Sequence, residues 1–259
     1  MQLHPQPDWL SRLVPVDEVL SRIRPGMSIF LGTGVAEPRT LVRRLMASED
    51  NNLKDLELVQ IASHGNDISL EALRAHKCRL KTFFPGWISR EALSEGLVDL
   101  IPSRYSQIRR VIASGQMHIE VAFVQITTPN ELGYCSLGAA VDVAREAMAK
   151  ADLVVGEINP LVPFTLGDTI VSVADFDLLV EAADPPVYFE HWPVDPIMEK
   201  VAANIAALIE DGDCLTFSIG SLFEALSRQL DGKRDLGLHS PFFTDAQMDL
   251  VKEGIVTNR

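Results

Sequence analysis

The chain has 259 residues, of which 47% are hydrophobic and 23% are charged, so it can form one large core or two modest ones. Its formal net charge of −13 argues against a nucleic-acid-binding role, which requires a basic face. The charge also means that an anionic ligand must be held by local donors. Three widely spaced cysteines form no CxxC pair, so we expect neither a disulfide scaffold nor a metal site.

The N-terminal segment lacks the basic stretch and apolar run of a signal peptide, and no apolar stretch is long enough to span a bilayer. We therefore expect a soluble cytoplasmic protein with no membrane partner. A reducing compartment also agrees with the odd number of cysteines.

Short apolar runs alternate with helical patterns along the chain. Buried strands are predicted at residues 27–31, 56–62, 121–127, 153–158 and 214–219. Helices are predicted at residues 38–47, 140–151 and 196–210, the last with Asp195 as its N-cap. This alternation indicates an α/β fold in which mostly parallel sheets are flanked by helices.

Residues 184–196 contain four prolines in thirteen positions, which is typical of a linker because proline fits neither a helix interior nor a central strand. The sequence thus predicts an N-terminal domain over 1–183 and a second domain over 197–259. The second segment offers few strands, so we expect that domain to be incomplete.

The first predicted strand ends in a loop with the sequence LGTGVAEP, which contains Gly32, Gly34, Glu37 and Pro38. Glycines in such a loop expose backbone N–H groups and let a ligand approach closely. The spacing matches neither GxGxxG nor a P-loop. A tight turn without a ligand is the alternative interpretation.

A second loop, residues 127–140, carries turn signals at Asn130 and Gly133 and is rich in small residues. Its length favours a functional role, with packing on its own sheet as an equal alternative. A third loop runs through Ser218, Ile219 and Gly220 directly into a helical pattern. N–H groups at such a helix start can bind phosphate or stabilise an oxyanion.

Ser218 does not fit a nucleophile elbow, because G-x-S-x-G requires glycine at the position of Thr216. His239 follows a predicted strand near the third loop, and His64 is a weaker candidate of the same kind. A histidine in such a place is either a structural hydrogen-bonding residue or a base. No HExxH pattern of metal ligands occurs.

Taken together, several segments resemble the acetyl-CoA hydrolase/CoA-transferase family, which includes acetate and 4-hydroxybutyrate CoA-transferases. The similar segments cover most of the chain: GxxxxEP at 32–38, FFPGWISREALSEGLVDLIP at 83–102, VAFVQITTPNELGYCSLG at 121–138, ADLVVGEINPLVPFTLGDTIV at 151–171, IEDGDCLTFSIG at 209–220 and DLGLHSPFFTDAQMDL at 235–250.

The resemblance implies two α/β domains and an active-site glutamate that attacks an acyl-CoA to give an acyl-glutamyl anhydride. The released CoA thiolate then forms a glutamyl-CoA thioester, from which CoA passes to a carboxylic acid. Backbone N–H donors, for which Ser218, Ile219 and Gly220 are the candidates, stabilise each oxyanion. Coenzyme A would be a substrate, and no permanently bound cofactor is expected.

The last similar segment aligns the family's nucleophilic glutamate with Pro241, next to His239 and Ser240. Proline offers neither a carboxylate nor an N–H group. Glu37 and Glu157 are candidates for a displaced carboxylate, with a structural role as the alternative. The resemblance also gives Gly32, Gly34, Glu37, Pro38, Asn130 and Gly133 as substrate-loop candidates.

We therefore expect a family member that moves CoA between an acyl-CoA and a small carboxylic acid such as acetate, impaired or incomplete as it stands. The alternative is an inactive homologue that binds CoA or a partner protein and regulates a true transferase. A nicotinamide-dependent oxidoreductase is a weaker interpretation, since GxGxxG is missing. The family's second domain continues past Asn258, so we expect a homo-oligomer or a partner chain that completes it.

Overall fold

The structure, a computed structural model, describes residues 9–62, 67–84 and 90–259, except for the side chain at position 90. Within them the chain divides into two compact units, the first ending at Tyr188 and the second covering Phe189–Arg259. The predicted linker at 184–196 stays a prediction.

The first unit is built on a parallel sheet of seven strands in the order β4-β3-β2-β1-β5-β7-β9, beside a small antiparallel pair of β6 and β8. The strands are β1 (Ser28–Leu31), β2 (Glu57–Ala62), β3 (Arg79–Phe84), β4 (Val98–Leu100), β5 (Val121–Ile126), β6 (Tyr134–Ser136), β7 (Leu153–Ile158), β8 (Ile170–Ser172) and β9 (Leu178–Glu181).

Helices cover both faces of this sheet, as its almost unbroken apolar strands require. Neighbouring residues of β1 show the alternation, because Ile29 packs on one face and Phe30 on the other. The helices of the Ile29 face are α1 (Val16–Ser21), α2 (Arg39–Ala47), α3 (Leu70–His76) and α4 (Arg90–Ser94). Those of the Phe30 face are α5 (Tyr105–Ala113) and α6 (Ala144–Met148).

One end of the sheet is covered by the segment that precedes α1. The N–H of Val14 donates to the main-chain oxygen of Leu179 in β9 at 2.8 Å, and Leu13 forms a parallel bridge with the same residue. The arginine before them, Arg12, donates to the main-chain oxygen of Phe176. These contacts place a short segment beside the edge of β9.

The second unit contains α7 (Pro196–Ala206), β10 (Cys214–Leu215), α8 (Ser221–Arg228), β11 (Gly237–Leu238) and α9 (Asp245–Lys252). The strands β10 and β11 are parallel neighbours, and a parallel bridge between Leu236 and Val256 begins a further pairing. Phe217, Leu230 and Leu236 are buried in its core.

The predicted fold class is confirmed, and the predictions for β1, β2, β5 and β7 agree with the observed strands to within one residue. The helix predicted at 140–151 is shorter, since α6 covers only Ala144–Met148. The strand predicted at 214–219 ends at Leu215. Asp195 caps α7 as predicted, accepting from the N–H groups of Ile197 and Met198. No helix in the described ranges is long and apolar enough to cross a membrane.

Candidate functional site

The carboxyl ends of β2, β1, β5 and β7 lie at one edge of the first unit's sheet, because these four strands are parallel neighbours. Ligands of open α/β sheets bind at the carboxyl ends of the strands. The glycine-rich segment after β1, which we call the 32–38 loop, is at the middle of this edge.

Two glycines allow the 32–38 loop to fold tightly. A Cβ atom on Gly32 would lie 2.3 Å from the main-chain oxygen of Ala36, so the approach of the two backbones excludes any side chain there. Gly34 has φ +60° and starts a short 3-10 turn, in which the N–H of Glu37 donates to its oxygen. The loop therefore turns back on itself before α2 begins after Pro38.

Glu37 points into the protein and is fully buried. Its Oε2 accepts a hydrogen bond of 2.9 Å from Nε2 of Gln60 in β2, and the same Nε2 donates to the oxygen of Gly32 at 2.9 Å. Burial raises the pKa of Glu37 to about 7, with a smaller contribution from Asp67 and opposition from the Gln60 hydrogen bond. Glu37 is therefore closed to a substrate.

A second glutamine holds the same loop from the other side. Nε2 of Gln125 in β5 donates to the oxygen of Val35 at 3.0 Å, and its Oε1 accepts from Nδ2 of Asn159 at 3.1 Å. Asn159 follows β7 and is buried, as is Gln125. Amides on two strands thus fix the conformation of the loop between them.

Glu157 in β7 is also fully buried, but it meets a different set of partners. Its two carboxylate oxygens accept from the backbone N–H groups of Thr40 at 3.2 Å and Leu41 at 2.9 Å, in the first turn of α2. Burial raises its pKa to about 7, although these two hydrogen bonds favour the ionised form. Glu157 therefore serves as an internal anchor for the helix.

The segment that leaves β9 is attached to α2. Oγ1 of Thr40 accepts from the N–H groups of Ala183 at 2.9 Å and Asp184 at 3.1 Å, and donates to a carboxylate oxygen of Asp184 at 3.2 Å. Arg43 forms an ion pair with Asp184 and another with Asp67, which also pairs with Arg39. Four charged side chains are neutralised in this cluster.

Asn130 and Gly133 form the turn that leads into β6. Oδ1 of Asn130 accepts from the N–H groups of Leu132 and Tyr134, both at 3.0 Å, and Gly133 has φ +76°. Among the described residues, no hydrogen bond joins this turn to the 32–38 loop. Asn130 is exposed at its position in the turn.

In the second unit, the structure brings together the two segments that the sequence singles out. Since β10 and β11 are parallel neighbours, the loop through Ser218, Ile219 and Gly220 and the loop through His239, Ser240 and Pro241 leave the same edge. Gly220, with φ +122°, precedes the first residue of α8. Ser218, Ile219 and Gly220 are half-buried, whereas His239 and Pro241 are exposed.

Two hydrogen bonds connect these loops. Oγ1 of Thr216 donates to the oxygen of His239, and Oγ of Ser240 donates to the oxygen of Phe217, both at 2.8 Å. The hydroxyl of Ser240 is thereby used in the scaffold. Pro241, the next residue, is exposed and supplies no reacting group.

Sequence reasoning missed Gln60 and Gln125. Each is the single amide of its strand, within the same tripeptide Val-Gln-Ile, and each is buried. A polar side chain at that place must find a partner inside the protein. The repeated tripeptide was therefore a usable signal for residues that support the 32–38 loop.

Two features predicted from the sequence fall outside the described residues: His64, and the part of the FFPGWISREALSEGLVDLIP segment at 85–89. In the part of the chain that the structure describes, no group of three His, Cys, Asp or Glu side chains could hold a metal ion.

Comparison with curated proteins gives relatives of one functional type. The chain is 31% identical to a 4-hydroxybutyrate coenzyme A transferase from Clostridium kluyveri, over 97% of this chain and 58% of the relative. It is 30% identical to a succinyl-CoA:acetate/propanoyl-CoA:succinate CoA transferase from Fasciola hepatica, over 97% of this chain and 52% of the relative. The chain thus spans little more than half the length of these relatives.

Solved structures agree in fold. A 4-hydroxybutyrate CoA-transferase from Porphyromonas gingivalis is 27% identical with a TM-score of 0.79, over 96% of this chain and 58% of that one. RipA from Yersinia pestis superimposes with a TM-score of 0.88 at 22% identity, over 96% of this chain and 60% of that one, which shows the fold alone.

Residues 1–191 match the family model described as the acetyl-CoA hydrolase/transferase N-terminal domain. The match covers most of the chain and includes the whole seven-stranded sheet with its 32–38 loop. The chain belongs to the acetyl-CoA hydrolase/CoA-transferase family.

Proposed function

We propose that this chain binds an acyl-CoA and that it lacks the carboxylate required to exchange CoA by itself. The proposal combines the family membership with one observation that carries it: Pro241 stands where the family resemblance places the nucleophilic glutamate. The relatives named above transfer CoA between acyl-CoAs and carboxylic acids.

In the proposed family reaction, a glutamate oxygen attacks the thioester carbonyl carbon and the carbon–sulfur bond breaks, releasing the CoA thiolate and leaving an acyl-glutamyl anhydride. The thiolate then attacks the glutamyl carbonyl carbon, which releases the first acid as a carboxylate and forms a glutamyl-CoA thioester. An acceptor carboxylate repeats both steps in reverse and leaves as its own CoA thioester. Water as the acceptor gives hydrolysis.

The half-buried loop of Ser218, Ile219 and Gly220 is the proposed oxyanion site, since its backbone precedes the first turn of α8. It leaves the sheet beside the loop that contains His239, Ser240 and Pro241, and the two hydrogen bonds between the loops support a preformed cradle. Gly32, Gly34, Glu37, Pro38, Asn130 and Gly133 remain proposed contributors to the substrate loops, with Glu37 acting through the backbone because it is buried.

The experiment compares the native chain with Pro241→Glu and Pro241→Gln. Exchange of a labelled small carboxylic acid into acyl-CoA is measured together with acyl-CoA binding by calorimetry. We expect binding by all three proteins and exchange only by Pro241→Glu, since glutamine has the same shape without a nucleophile. Exchange by the native chain would contradict the missing-nucleophile proposal, and absence of binding in all three would contradict the acyl-CoA site.

A second candidate is a regulatory homologue that binds CoA or a partner protein, and the substitution at Pro241 favours it too. If the native chain binds acyl-CoA, adding it to an active family transferase and measuring exchange tests this role. A change in the transferase rate that depends on bound acyl-CoA supports regulation.

We also propose that further polypeptide, from a second copy or a partner chain, adds to the two-stranded sheet of the second unit. The support is that a parallel bridge joins Leu236, next to β11, to Val256. We place this assembly in the cytoplasm. Light scattering over a range of concentrations tests it, and a monomer that binds no apolar dye would contradict it.

A further inference from the structure

Two buried oxygen atoms at the 32–38 loop have no hydrogen-bond partner among the described residues: Oε1 of Glu37 and Oε1 of Gln60. Both residues are fully buried. Buried polar atoms nearly always have a partner, so each of these requires an explanation. The two atoms belong to side chains that already contact each other, since Nε2 of Gln60 donates to Oε2 of Glu37 at 2.9 Å.

The amide of Gln60 has no further donor to offer. Its Nε2 already donates to the oxygen of Gly32 as well as to Glu37, so both N–H bonds are occupied. What remains is the amide oxygen and one carboxyl oxygen, which are both acceptors. A proton on the carboxyl group converts one of them into a donor and provides both atoms with a partner.

We propose that Glu37 is a neutral carboxylic acid that donates its Oε1–H to Oε1 of Gln60, and that this acid–amide pair holds the 32–38 loop against β2. In the pair the amide donates to one carboxyl oxygen and accepts from the other. Because the same amide also binds Gly32, it joins the first residue of the loop to the last residue before Pro38.

The charged groups around Glu37 are consistent with a neutral acid. Asp67 disfavours a second negative charge, whereas Arg39 and Arg43 favour it, but both arginines already pair with Asp67. Burial is the largest effect and raises the pKa to about 7. The next buried carboxylate along the chain, Glu157, contacts α2 rather than this loop.

Glu157 provides the matched comparison. It is as buried as Glu37, but its two oxygens face two backbone N–H donors, which an ionised carboxylate satisfies fully. A neutral amide in its place would direct an NH2 group at a backbone N–H. The same substitution, glutamate to glutamine, is therefore expected to have opposite effects at the two positions.

The first measurement is direct. The native protein and Glu37→Gln are both labelled with ¹³C-glutamate, and their infrared difference spectrum is recorded at about pH 5.5. The difference shows whether a protonated carboxyl C=O band belongs to Glu37. We expect that band in the native protein and its loss in the variant. A carboxylate band from Glu37 at that pH, with a water between the two side chains, would overturn the proposal.

The second measurement is stability against pH for the native protein, Glu37→Gln and Glu157→Gln. The folded-state pKa of Glu37 is raised from 4.5 to about 7, so its contribution is fully present below pH 4.5 and is lost as the pH rises to about 7. The native folding constant should fall on the order of 100-fold relative to that of Glu37→Gln over this range.

Glutamine at position 37 can donate to Gln60 and accept from it, so Glu37→Gln should fold with near-native stability at low pH. The folding equilibrium constant of Glu157→Gln should be at least about tenfold smaller than that of the native protein, because an NH2 donor replaces a carboxylate acceptor. Equal destabilisation by both substitutions, or an unchanged pH profile in Glu37→Gln, would overturn the proposal. If Glu37→Gln fails to fold, that result also counts against it.

Discussion

The hydroxyl of Thr216 donates to the main-chain oxygen of His239 at 2.8 Å, so the loop that ends β10 is attached to the loop that ends β11. The hydrogen bond runs between the two segments that carry the proposed oxyanion loop and the position of the missing glutamate. A second hydrogen bond joins the same loops with the donor on the other side, because the hydroxyl of Ser240 donates to the main-chain oxygen of Phe217. The two hydrogen bonds therefore hold the two loops together.

Removing these hydroxyls should make both loops more mobile. We expect Thr216→Val and Ser240→Ala each to lower the free energy of unfolding by at most about 1 kcal/mol, since both sites are partly open to water. The sharper effect should be faster amide hydrogen exchange at residues 216–220 and 239–242. Ser227→Ala is the control, because its hydroxyl bonds to Phe223 within its own helix and connects no loops. Equal exchange rates in all three variants would contradict the coupling.

Gly32→Ala should destabilise the first unit by about 2–3 kcal/mol, because the new methyl carbon would lie 2.3 Å from a backbone oxygen that cannot move without distorting the 32–38 loop. Urea unfolding measures the change. Gly26→Ala is the control, since a Cβ there meets no atom within 4 Å and the cost is only that of φ +83°, about 1 kcal/mol. A smaller effect at Gly32 than at Gly26 would show that the loop is not tightly closed.

Thr40→Val should cost about 1–2 kcal/mol, because the N–H groups of Ala183 and Asp184 lose their shared acceptor. Thr40→Ser keeps the oxygen and should remain within about 0.5 kcal/mol of the native protein. Thermal unfolding and protease cleavage after Ala183 provide the two readouts. If valine and serine have the same effect, the hydroxyl does not hold the segment that leaves β9.

The contribution of Asp67 should depend on pH. Burial tends to raise the pKa of its carboxyl, but the hydrogen bonds and charges of Arg39 and Arg43 prevail and hold it below 3.8. Its stabilising effect is thus present above pH 3.8 and is lost as the pH falls through the folded-state value. We expect Asp67→Asn to be about 1–2 kcal/mol less stable than the native protein at neutral pH and nearly equal to it in acid. A constant difference would contradict this.

The strands that the sequence reveals are those with helices on both faces. Runs such as 121–127 and 153–158 are apolar throughout because neither face meets water, and they gave β5 and β7 directly. Among the strands that the sequence analysis missed, β3 lies next to last in the sheet. It carries Lys81 in an ion pair with Glu57 of β2, and these charges hide it in the pattern.

In the candidate site, too, the sequence predicted some features and not others. The glycine spacing alone predicted the loop that starts at Gly32, because a tight turn depends on the backbone conformation of neighbouring residues only. The partner of Glu37 is set by the register of β1 against β2, which pairs Phe30 with Val59 and so brings Gln60 to the strand end. Such a pairing joins residues that are distant in sequence, and no local pattern specifies it.

The segment that binds β9 also limits how another molecule can add a strand to this sheet. An end strand presents a row of unpaired N–H and C=O groups to which another molecule can add a strand. Here Leu13 and Val14 occupy part of that row on β9, while β4 at the opposite end of the sheet is only three residues long. One end of the sheet is partly paired by its own chain, and the other offers only a short edge to which a strand could add.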